Sequence, residues 1–543
     1  MLQRLKNWLV RAGVGRRGRA PAAMPPAVSG AHTPLETALS ACPDDADLNY
    51  RQGLMQLTAG DAAGALDHFH LALHYAPDLF PACVARVRAL LALGRSSEEA
   101  GAYREFLQAN PGHPGATYAL AVWHHARSEH ERALELLRPL ADRRPTNRNA
   151  CNLLGLILGR EFGQFEEAEH LLRLALEPDP LWPVALSNLG WILLEKGDYV
   201  QGLQLLDAVL ASNPDDHETR LVRSYMNLKR GDFEQGWRDY EARHQSRFAA
   251  HRAFDVPQWE GTPVGGKTLL IYAEQGFGDQ IMFASCFDEA IARAGRCIIE
   301  CDPRLVALFR RSFPSAVIVA SAPAGEPATW TAHAQVIDSQ IPMGSLPGFF
   351  RKRWEEFPRH AGYLRAAPER VAYWRARLDA LGPGVKIGLS WRGGIAATRR
   401  HLRSLALDEF LPVLRLPARF VSLQYGNCTD DLNTLSREHG VILPHWQDAL
   451  DDYDETAALV CALDLVISVC TAVVHLAGAL GKPVWILVPA VAEWRYLDRG
   501  EIMPWYPSAR LFRQTVAGRW QDAIRQVVEH SEQFAQMINP HRG

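Results

Sequence analysis

The sequence contains no long apolar segment and no marked excess of charge of one sign. No hydrophobic run approaches the roughly 20 residues that a membrane-spanning helix needs, so we do not expect an integral membrane protein. The 58 Lys and Arg residues nearly balance the 61 Asp and Glu residues, and the net charge is −3. Nucleic-acid binding depends on a concentrated basic face. The near-neutral balance therefore argues against nucleic acid as the main partner.

Cysteine is scarce and follows no metal-binding or disulfide pattern. The nine cysteines are spread along the chain without a Cys-X-X-Cys motif, and most of their neighbours are apolar. An odd number of thiols in such surroundings is typical of a reduced, cytosolic protein. We therefore expect buried free thiols and no metal site.

The first 43 residues form a separate region with no acidic residue before Glu36. Its apolar stretch around Trp8 is too short for a secretion signal. Leu2, Leu5 and Trp8 share one helical face, so contact with anionic lipid is one interpretation, and a frayed basic tail with a linker is the other. We expect a cytoplasmic protein with at most peripheral contact to the inner membrane.

Proline recurs with a nearly constant period through the first half of the chain. Successive members of the series lie 34 or 35 residues apart, at positions 43, 77, 111, 145, 180 and 214. This is the period of tetratricopeptide repeats, and Gly53, Ala65 and Phe69 match the signature of one repeat. We predict an array over 44–250, with five hairpins and a sixth, divergent one. Such an array usually binds a peptide or protein.

After residue 266 short apolar runs alternate with helical stretches, which is the βαβ pattern of a parallel sheet. The pattern predicts two Rossmann-like lobes, over 266–365 and 383–525, and a C-terminal tail over 526–543. Two such lobes leave a cleft at the carboxyl ends of their strands. The predicted strands are 267–274, 296–302, 315–320, 334–338, 385–391, 419–425, 440–443, 463–469 and 483–489.

A glycine-rich turn leaves the first of these strands and opens a helix. It contains Gly276, Gly278 and Asp279. Glycines let the backbone approach a ligand, and a helix start favours an anion or a catalytic carboxylate. Asp279 is therefore either a catalytic group or a helix cap.

A second glycine turn follows the strand that ends at Ser390. Behind it lie several arginines, among them Arg400 and Arg403. Guanidinium groups match phosphate oxygens, so the segment is either a phosphate site or a solvated basic loop.

The third segment runs from a buried strand at Ser468 into a helix of small apolar residues. Backbone N–H groups at Thr471, Ala472 and Val473 would point into the cleft and suit a diphosphate. His475 lies one turn further on the same face and is either a core residue or a ligand.

Together with the repeats, these segments resemble bacterial tetratricopeptide-repeat glycosyltransferases whose catalytic part is similar to the heptosyltransferases (GT family 9-like). The similarity rests on LLIYAEQGFGDQIMF, GLSWRGG, RFVSLQ and ALDLVISVCTAVVHLAGALGKPVWILVP, and it spans residues 44–525. It implies a multidomain fold, an all-α tetratricopeptide-repeat superhelix followed by an α/β GT-B-type pair of lobes. It also implies inverting transfer of a hexosyl or heptosyl group from a nucleotide-diphosphate sugar, without a metal or other cofactor.

The resemblance further implies roles for single residues. Asp279 takes the position of the family's general base for the acceptor hydroxyl. The residues that map onto the segment holding the donor diphosphate are Ser468, Cys470, Thr471, Ala472, Val473 and His475.

Other positions map onto the rest of the donor site. One of Arg400 and Arg403 takes the place of the family's basic residue. Gln424 and Ser390 would lie near the nucleoside. The loop Glu493–Tyr496 either lines the acceptor side or closes the interface between the lobes.

One position departs from the family pattern, because Cys470 stands where the family has Asp. A thiol accepts backbone N–H bonds poorly, and each lost bond costs on the order of 1 kcal/mol. Three functions follow as hypotheses. The chain is a glycosyltransferase whose acceptor, perhaps a protein, is recruited by the array, or a non-catalytic scaffold with a degenerate domain, or a lipopolysaccharide-type heptosyltransferase.

Overall fold

The computed structural model describes residues 34–143, 147–246, 252, 254–323, 337–394 and 400–538. The basic segment on which the tail and lipid-contact interpretations rest lies outside these residues. The chain divides into two compact units, Met1–Ile192 and Leu193–Gly543. Among the described residues, no helix combines the length and apolarity that crossing a bilayer requires.

The first unit is built from antiparallel helix pairs, as the proline period predicts. Its helices are α1 (Pro34–Ala41), α2 (Ala46–Ala59), α3 (Ala62–Tyr75), α4 (Phe80–Ala92), α5 (Glu99–Ala109), α6 (Pro114–Ala126), α7 (His130–Ala141), α8 (Arg148–Phe162), α9 (Phe165–Leu176) and α10 (Pro183–Glu195), the last of which ends in the second unit.

Small residues set the spacing within each pair. A Cβ at Gly53 would lie 2.6 Å from Cε1 of Phe69, and one at Gly155 would lie 2.9 Å from the carbonyl oxygen of Ala168. Aspartates start the helices, as where Asp61 Oδ1 accepts a 2.9 Å bond from the Gly64 N–H. Such caps satisfy N–H groups that have no partner within the helix.

The second unit begins with the end of α10 and continues with three helices, α11 (Tyr199–Ser212), α12 (His217–Arg230) and α13 (Phe233–Tyr240). The pair α12–α13, the sixth hairpin, is packed into the α/β region that follows. Trp237 is 3% exposed, and its Nε1 donates a 2.9 Å bond to the Arg351 carbonyl. The predicted domain boundary near residue 250 is therefore wrong, because this hairpin shares a core with the first lobe.

The first lobe has a four-stranded parallel sheet in the order β3-β2-β1-β4. Of the predicted strand at 334–338, residues 334–336 lie outside the described residues, and β4 begins at Ser339. The elements are β1 (Val264–Tyr272), α14 (Phe277–Phe283), α15 (Phe287–Arg293), β2 (Ala294–Cys301), α16 (Val306–Ser312), β3 (Val317–Ala320), β4 (Ser339–Pro342), α17 (Pro347–Phe350) and α18 (Pro368–Asp379).

The second lobe has a five-stranded parallel sheet in the order β6-β5-β7-β8-β9. Its core strands are fully buried, which explains their continuous apolar runs. The elements are β5 (Lys386–Ser390), α19 (Leu411–Leu414), β6 (Arg419–Ser422), α20 (Thr429–His439), α21 (Gln447–Asp451), α22 (Tyr453–Ala462), β7 (Leu465–Val469), α23 (Ala472–Ala479), β8 (Val484–Val488), β9 (Ala509–Arg513) and α24 (Gln521–Ile538).

Three expectations for this lobe differ from the structure. Residues 440–443 form no strand, and Ile442 is 83% exposed. The edge strand β9 has no counterpart in the prediction. The predicted tail over 526–543 is wrong at its start, because α24 continues to Ile538 and Val527 is buried in the core of the lobe.

Candidate functional site

The glycine turn of the first lobe meets the start of α23 in the second lobe. A Cβ at Gly278 would lie 3.2 Å from Cδ2 of His475 and 3.5 Å from Cα of Ala472. A side chain at this position would press on α23, so glycine allows the close approach. Two segments that lie almost 200 residues apart in the sequence are thereby brought together at the carboxyl ends of β1 and β7.

Asp279 is an ion-pair partner and not a helix cap. The residue at the N-cap of α14 is Gly276. Asp279 Oδ1 accepts a 2.6 Å bond from Nη2 of Arg495, which lies in the second lobe. The Arg495 side chain is 14% exposed. Burial by itself lowers the pKa of Arg495, but the charge of Asp279 and other neighbours raise it overall, so the guanidinium stays charged.

The ion pair continues into a chain of four charged groups. Arg495 Nη1 also pairs with Glu493 Oε2, and the other oxygen of Glu493 lies 3.0 Å from Nη1 of Arg403. The order is therefore Asp279, Arg495, Glu493, Arg403, with alternating charge. The Arg403 side chain is 12% exposed, whereas Arg400 is exposed. Of the two arginines predicted for the phosphate, the structure brings Arg403 to this cluster.

The segment Glu493–Asp498, which we call the 493–498 loop, carries two of these charges in a strained backbone. Leu497 has φ 60° and ψ 176°, a region that is occupied almost only by glycine. Arg513 holds the strained turn by donating to the carbonyls of Leu497 and Tyr496. The Asp498 N–H donates a 2.9 Å bond to the Lys229 carbonyl. The loop is thus fixed from both sides.

The backbone before α23 is ordered by its own side chains. Thr471 Oγ1 accepts a 3.1 Å bond from the Val473 N–H, and Ser468 Oγ donates a 2.8 Å bond to the Val469 carbonyl. The glycine turn behind β5 packs on this segment, since a Cβ at Gly393 would lie 2.6 Å from the Cys470 carbonyl oxygen. Ser468 and Thr471 therefore shape the turn through their side chains.

Cys470 and His475 are buried and uncharged. Burial raises the pKa of the Cys470 thiol to about 11, and the nearby Arg403 only partly opposes this. The thiol donates to the Leu487 carbonyl over 3.6 Å. Burial lowers the pKa of His475 well below its ordinary value, and Arg495 and Arg403 lower it further. Nδ1 of His475 lies 3.1 Å from the Tyr506 hydroxyl.

The two residues predicted for the nucleoside are hydrogen-bonded to each other within the second lobe. The Gln424 side-chain oxygen accepts bonds from Ser390 Oγ (3.2 Å), the Trp391 N–H (3.0 Å) and the Arg392 N–H (2.8 Å). Its amide nitrogen donates to the carbonyls of Arg392 and Tyr425. Gln424 is 1% exposed and Ser390 is fully buried. Both polar atoms of the Gln424 side-chain amide are thus engaged within the lobe, and the role of Gln424 and Ser390 at the nucleoside stays a prediction.

The sixth hairpin reaches the first glycine turn through Arg243. Nη2 of Arg243 donates to Glu274 Oε1 (3.2 Å) and to Ser345 Oγ (2.7 Å), and Glu274 Oε1 also accepts a 3.1 Å bond from the Gly344 N–H. Burial by itself lowers the pKa of Arg243, but Glu274 and Glu241 raise it overall. The end of β1 is therefore held by a residue that follows directly after the sixth hairpin.

A cavity of about 270 Å³ opens between α13 and the first lobe. Trp237 and Phe349 form apolar parts of its wall, and Glu234, Arg238 and Lys352 supply charges of both signs. The cavity could not be predicted from the sequence, because its walls come from two regions that the sequence pattern places in different domains.

The chain is similar to family models in its repeats and to a known relative along most of its length. Tetratricopeptide repeat models match residues 84–148 and 160–232. Protein FlbA from Caulobacter vibrioides (strain ATCC 19089 / CIP 103742 / CB 15) is 30% identical over 496 residues, which are 88% of this chain and 82% of the relative. The similarity therefore extends through both units.

Solved structures similar to part of the chain are repeat proteins. One is YrrB, described as a TPR protein with an unusual peptide-binding site, at 20% identity and a TM-score of 0.28, covering 35% of this chain and 96% of that one. Another is TTC0263, a thermophilic TPR protein of Thermus thermophilus, at 22% identity and a TM-score of 0.27, covering 32% of this chain and 95% of that one.

Proposed function

The chain belongs to the family of Protein FlbA, and we propose that it is an inverting, metal-independent glycosyltransferase that uses a nucleotide-diphosphate sugar. The observation that carries the proposal is the approach of the glycine turn to α23, with Gly278 next to Ala472 and His475. It sets a carboxylate, Asp279, beside a helix start at the junction of two parallel α/β lobes. A GT-B-type pair of lobes would bind its donor at such a junction.

Asp279 has the chemistry of a general base. It would take the proton from the acceptor hydroxyl while the hydroxyl oxygen attacks the anomeric carbon on the face opposite the diphosphate. The bond to the diphosphate breaks, and the configuration inverts. Negative charge then develops on the leaving diphosphate, where fixed donors and a cation such as Arg403 stabilise it. Arginine supplies the positive charge in this scheme.

The acceptor is proposed to be a protein or peptide bound by the repeats. Tetratricopeptide arrays stack hairpins into an extended binding surface, and repeat models match residues 84–148 and 160–232. The cavity between α13 and the first lobe has apolar walls with charges of both signs. Such a lining suits an extended polypeptide segment better than a lipid tail, which does not favour the lipopolysaccharide-type transferase.

The test begins with donor binding. Thermal denaturation of the purified protein with UDP-, GDP-, ADP- and CMP-sugars should reveal stabilisation by one nucleotide. Release of free nucleotide from that donor should fall by about 10²-fold or more in Asp279→Asn, while the variant still binds the donor. Asp288→Asn, which changes an exposed carboxylate of the same lobe, is the matched control and should match the wild type.

A non-catalytic scaffold is the second candidate, and Cys470 favours it. The thiol is neutral and buried where the resembling family has a carboxylate. If the protein is a scaffold, no nucleotide-sugar should stabilise it against thermal denaturation. There should also be no turnover for Asp279→Asn to abolish. That behaviour in a folded wild-type protein would contradict the transferase proposal and support the scaffold.

A further inference from the structure

The place of Arg495 between Asp279 and Glu493 could not be predicted from the residues around it in the sequence. Its side chain and that of Arg403 are 14% and 12% exposed, and Glu493 lies between them. Both guanidinium groups act on the two buried side chains at α23. They oppose the burial-raised pKa of Cys470, and they add to the burial that lowers the pKa of His475. Two cations therefore converge on the helix start where a diphosphate is proposed to bind.

Arg495 is shared between two carboxylates and still has an unused donor. It pairs with Glu493 and, at 2.6 Å, with Asp279. Its Nε is buried and has no hydrogen-bond partner among the residues that the structure describes. A buried donor without a partner is uncommon in a native protein. An anion with several acceptor oxygens would satisfy it.

We propose that Arg495 leaves Asp279 and binds the donor diphosphate together with Arg403. Asp279 is thereby released to act as the base. The inference rests on the proposed function and adds that the donor binds before the acceptor hydroxyl is activated. While Arg495 is on Asp279, its guanidinium occupies Oδ1 of the carboxylate, an oxygen that the acceptor hydroxyl would need. Once the diphosphate takes the guanidinium, that oxygen is free to accept a hydrogen bond from the acceptor hydroxyl. The acceptor hydroxyl is then activated only when the donor is in place.

The experiment measures binding of UDP, GDP, ADP and CDP to the full chain by titration calorimetry. The nucleotide that binds the wild type should bind Arg495→Gln at least about 10-fold more weakly, because charge-assisted bonds are lost. It should bind Asp279→Asn several-fold more tightly, because the competing carboxylate is gone. The gain should disappear in the Arg495→Gln, Asp279→Asn double variant. Arg499→Ala, at a side chain that is 93% exposed, should match the wild type.

The outcomes separate this inference from the function on which it rests. A folded wild type that binds none of the four nucleotides contradicts both. Binding that weakens in Arg403→Ala but not in Arg495→Gln contradicts the inference alone, and so does unchanged or weaker binding in Asp279→Asn. If circular dichroism shows that Arg495→Gln does not fold, the Asp279→Asn measurement decides the matter by itself.

Discussion

Among the nine cysteines Cys42 is exposed, Cys461 is half-buried and the other seven are buried. All nine cysteines lie in the described part of the chain and are free thiols, as expected from their apolar neighbours. Cys42 is exposed, whereas Cys470 is buried with a pKa raised to about 11 by burial. Alkylating reagents attack the thiolate and need access to it. The two thiols should therefore differ strongly in rate.

Iodoacetamide at neutral pH should label Cys42 first in the native protein. Peptide mass spectrometry over time should show one fast site, and Cys42→Ser should remove the fast phase. Rapid labelling of Cys470 in folded protein would contradict the burial of that thiol and the closed packing of the segment before α23.

His475 should make the stability of the second unit depend on pH. Its pKa in the folded state is lowered well below 6.5 by burial, with Arg495 and Arg403 adding to the effect. As the pH falls below about 6.5, the unfolded state binds a proton that the folded state does not, so the free energy of unfolding decreases. The slope from this one group rises toward about 1.4 kcal/mol per pH unit as the unfolded-state histidine becomes fully protonated.

Urea denaturation of His475→Asn and wild type at several pH values between about 7 and 5.5 measures this contribution. The variant should lose less free energy of unfolding than the wild type over the acidic part of the range. His439→Asn, which changes an exposed histidine on α20, should keep the wild-type slope. Parallel curves for wild type and His475→Asn would contradict the prediction.

At the scale of the elements, the hairpins depend on small residues at fixed positions. Gly53→Ala should destabilise the first unit by about 1–3 kcal/mol, because the new Cβ would lie 2.6 Å from Phe69. Gly101 lies in α5 with nothing within 4 Å of its Cβ position, so Gly101→Ala should be neutral or stabilise by up to about 1 kcal/mol. Thermal denaturation compares the two. Equal effects would contradict the packing explanation.

Elements whose signal is local were predictable from the sequence. The hairpins follow from the proline period and from signature residues such as Gly53, Ala65 and Phe69. Buried strands such as β7 follow from short apolar runs. The run at 440–443 has the same composition as a strand, but the chain meets the edge strand β6 only just after it, in an isolated bridge between His445 and Ser422. Composition alone could not show that.

The charged cluster was only partly predictable, because its contacts are not local. The glycine turn and the start of α23 were placed in one cleft by the rule that parallel strands end together. The partner of Asp279 is Arg495, which lies 216 residues further along the chain. A lone arginine in an aromatic loop carries no signal for such a pairing. Likewise, the sequence could not show that the amide of Gln424 would be used within the protein.

At the scale of the whole molecule, the sixth hairpin is a part of the second unit. Trp237 lies 5.5 Å from Trp494 and 6.1 Å from Trp505, measured between ring centroids. Its Nε1 also donates to the Arg351 carbonyl. The aromatic cluster therefore joins α13 to both lobes, and the lobes should not fold well without it.

A protein that starts at residue 183 should unfold in one cooperative transition, whereas one that starts at residue 251 should aggregate or bind hydrophobic dyes. Trp237→Ala in the full chain should cost about 3–5 kcal/mol, as measured by chemical denaturation. Cooperative unfolding of the 251–543 protein with wild-type stability would show that the hairpin is dispensable.

The Arg243 contacts with Glu274 and Ser345 also constrain how such a gene can recombine. A crossover that exchanged the whole array for another would separate Arg243 and Trp237 from the residues of the lobes that they contact. Exchange upstream of the sixth hairpin would leave those contacts intact. We therefore expect a chimera with replaced upstream repeats to fold, whereas the last hairpin should be exchangeable only together with the α/β region.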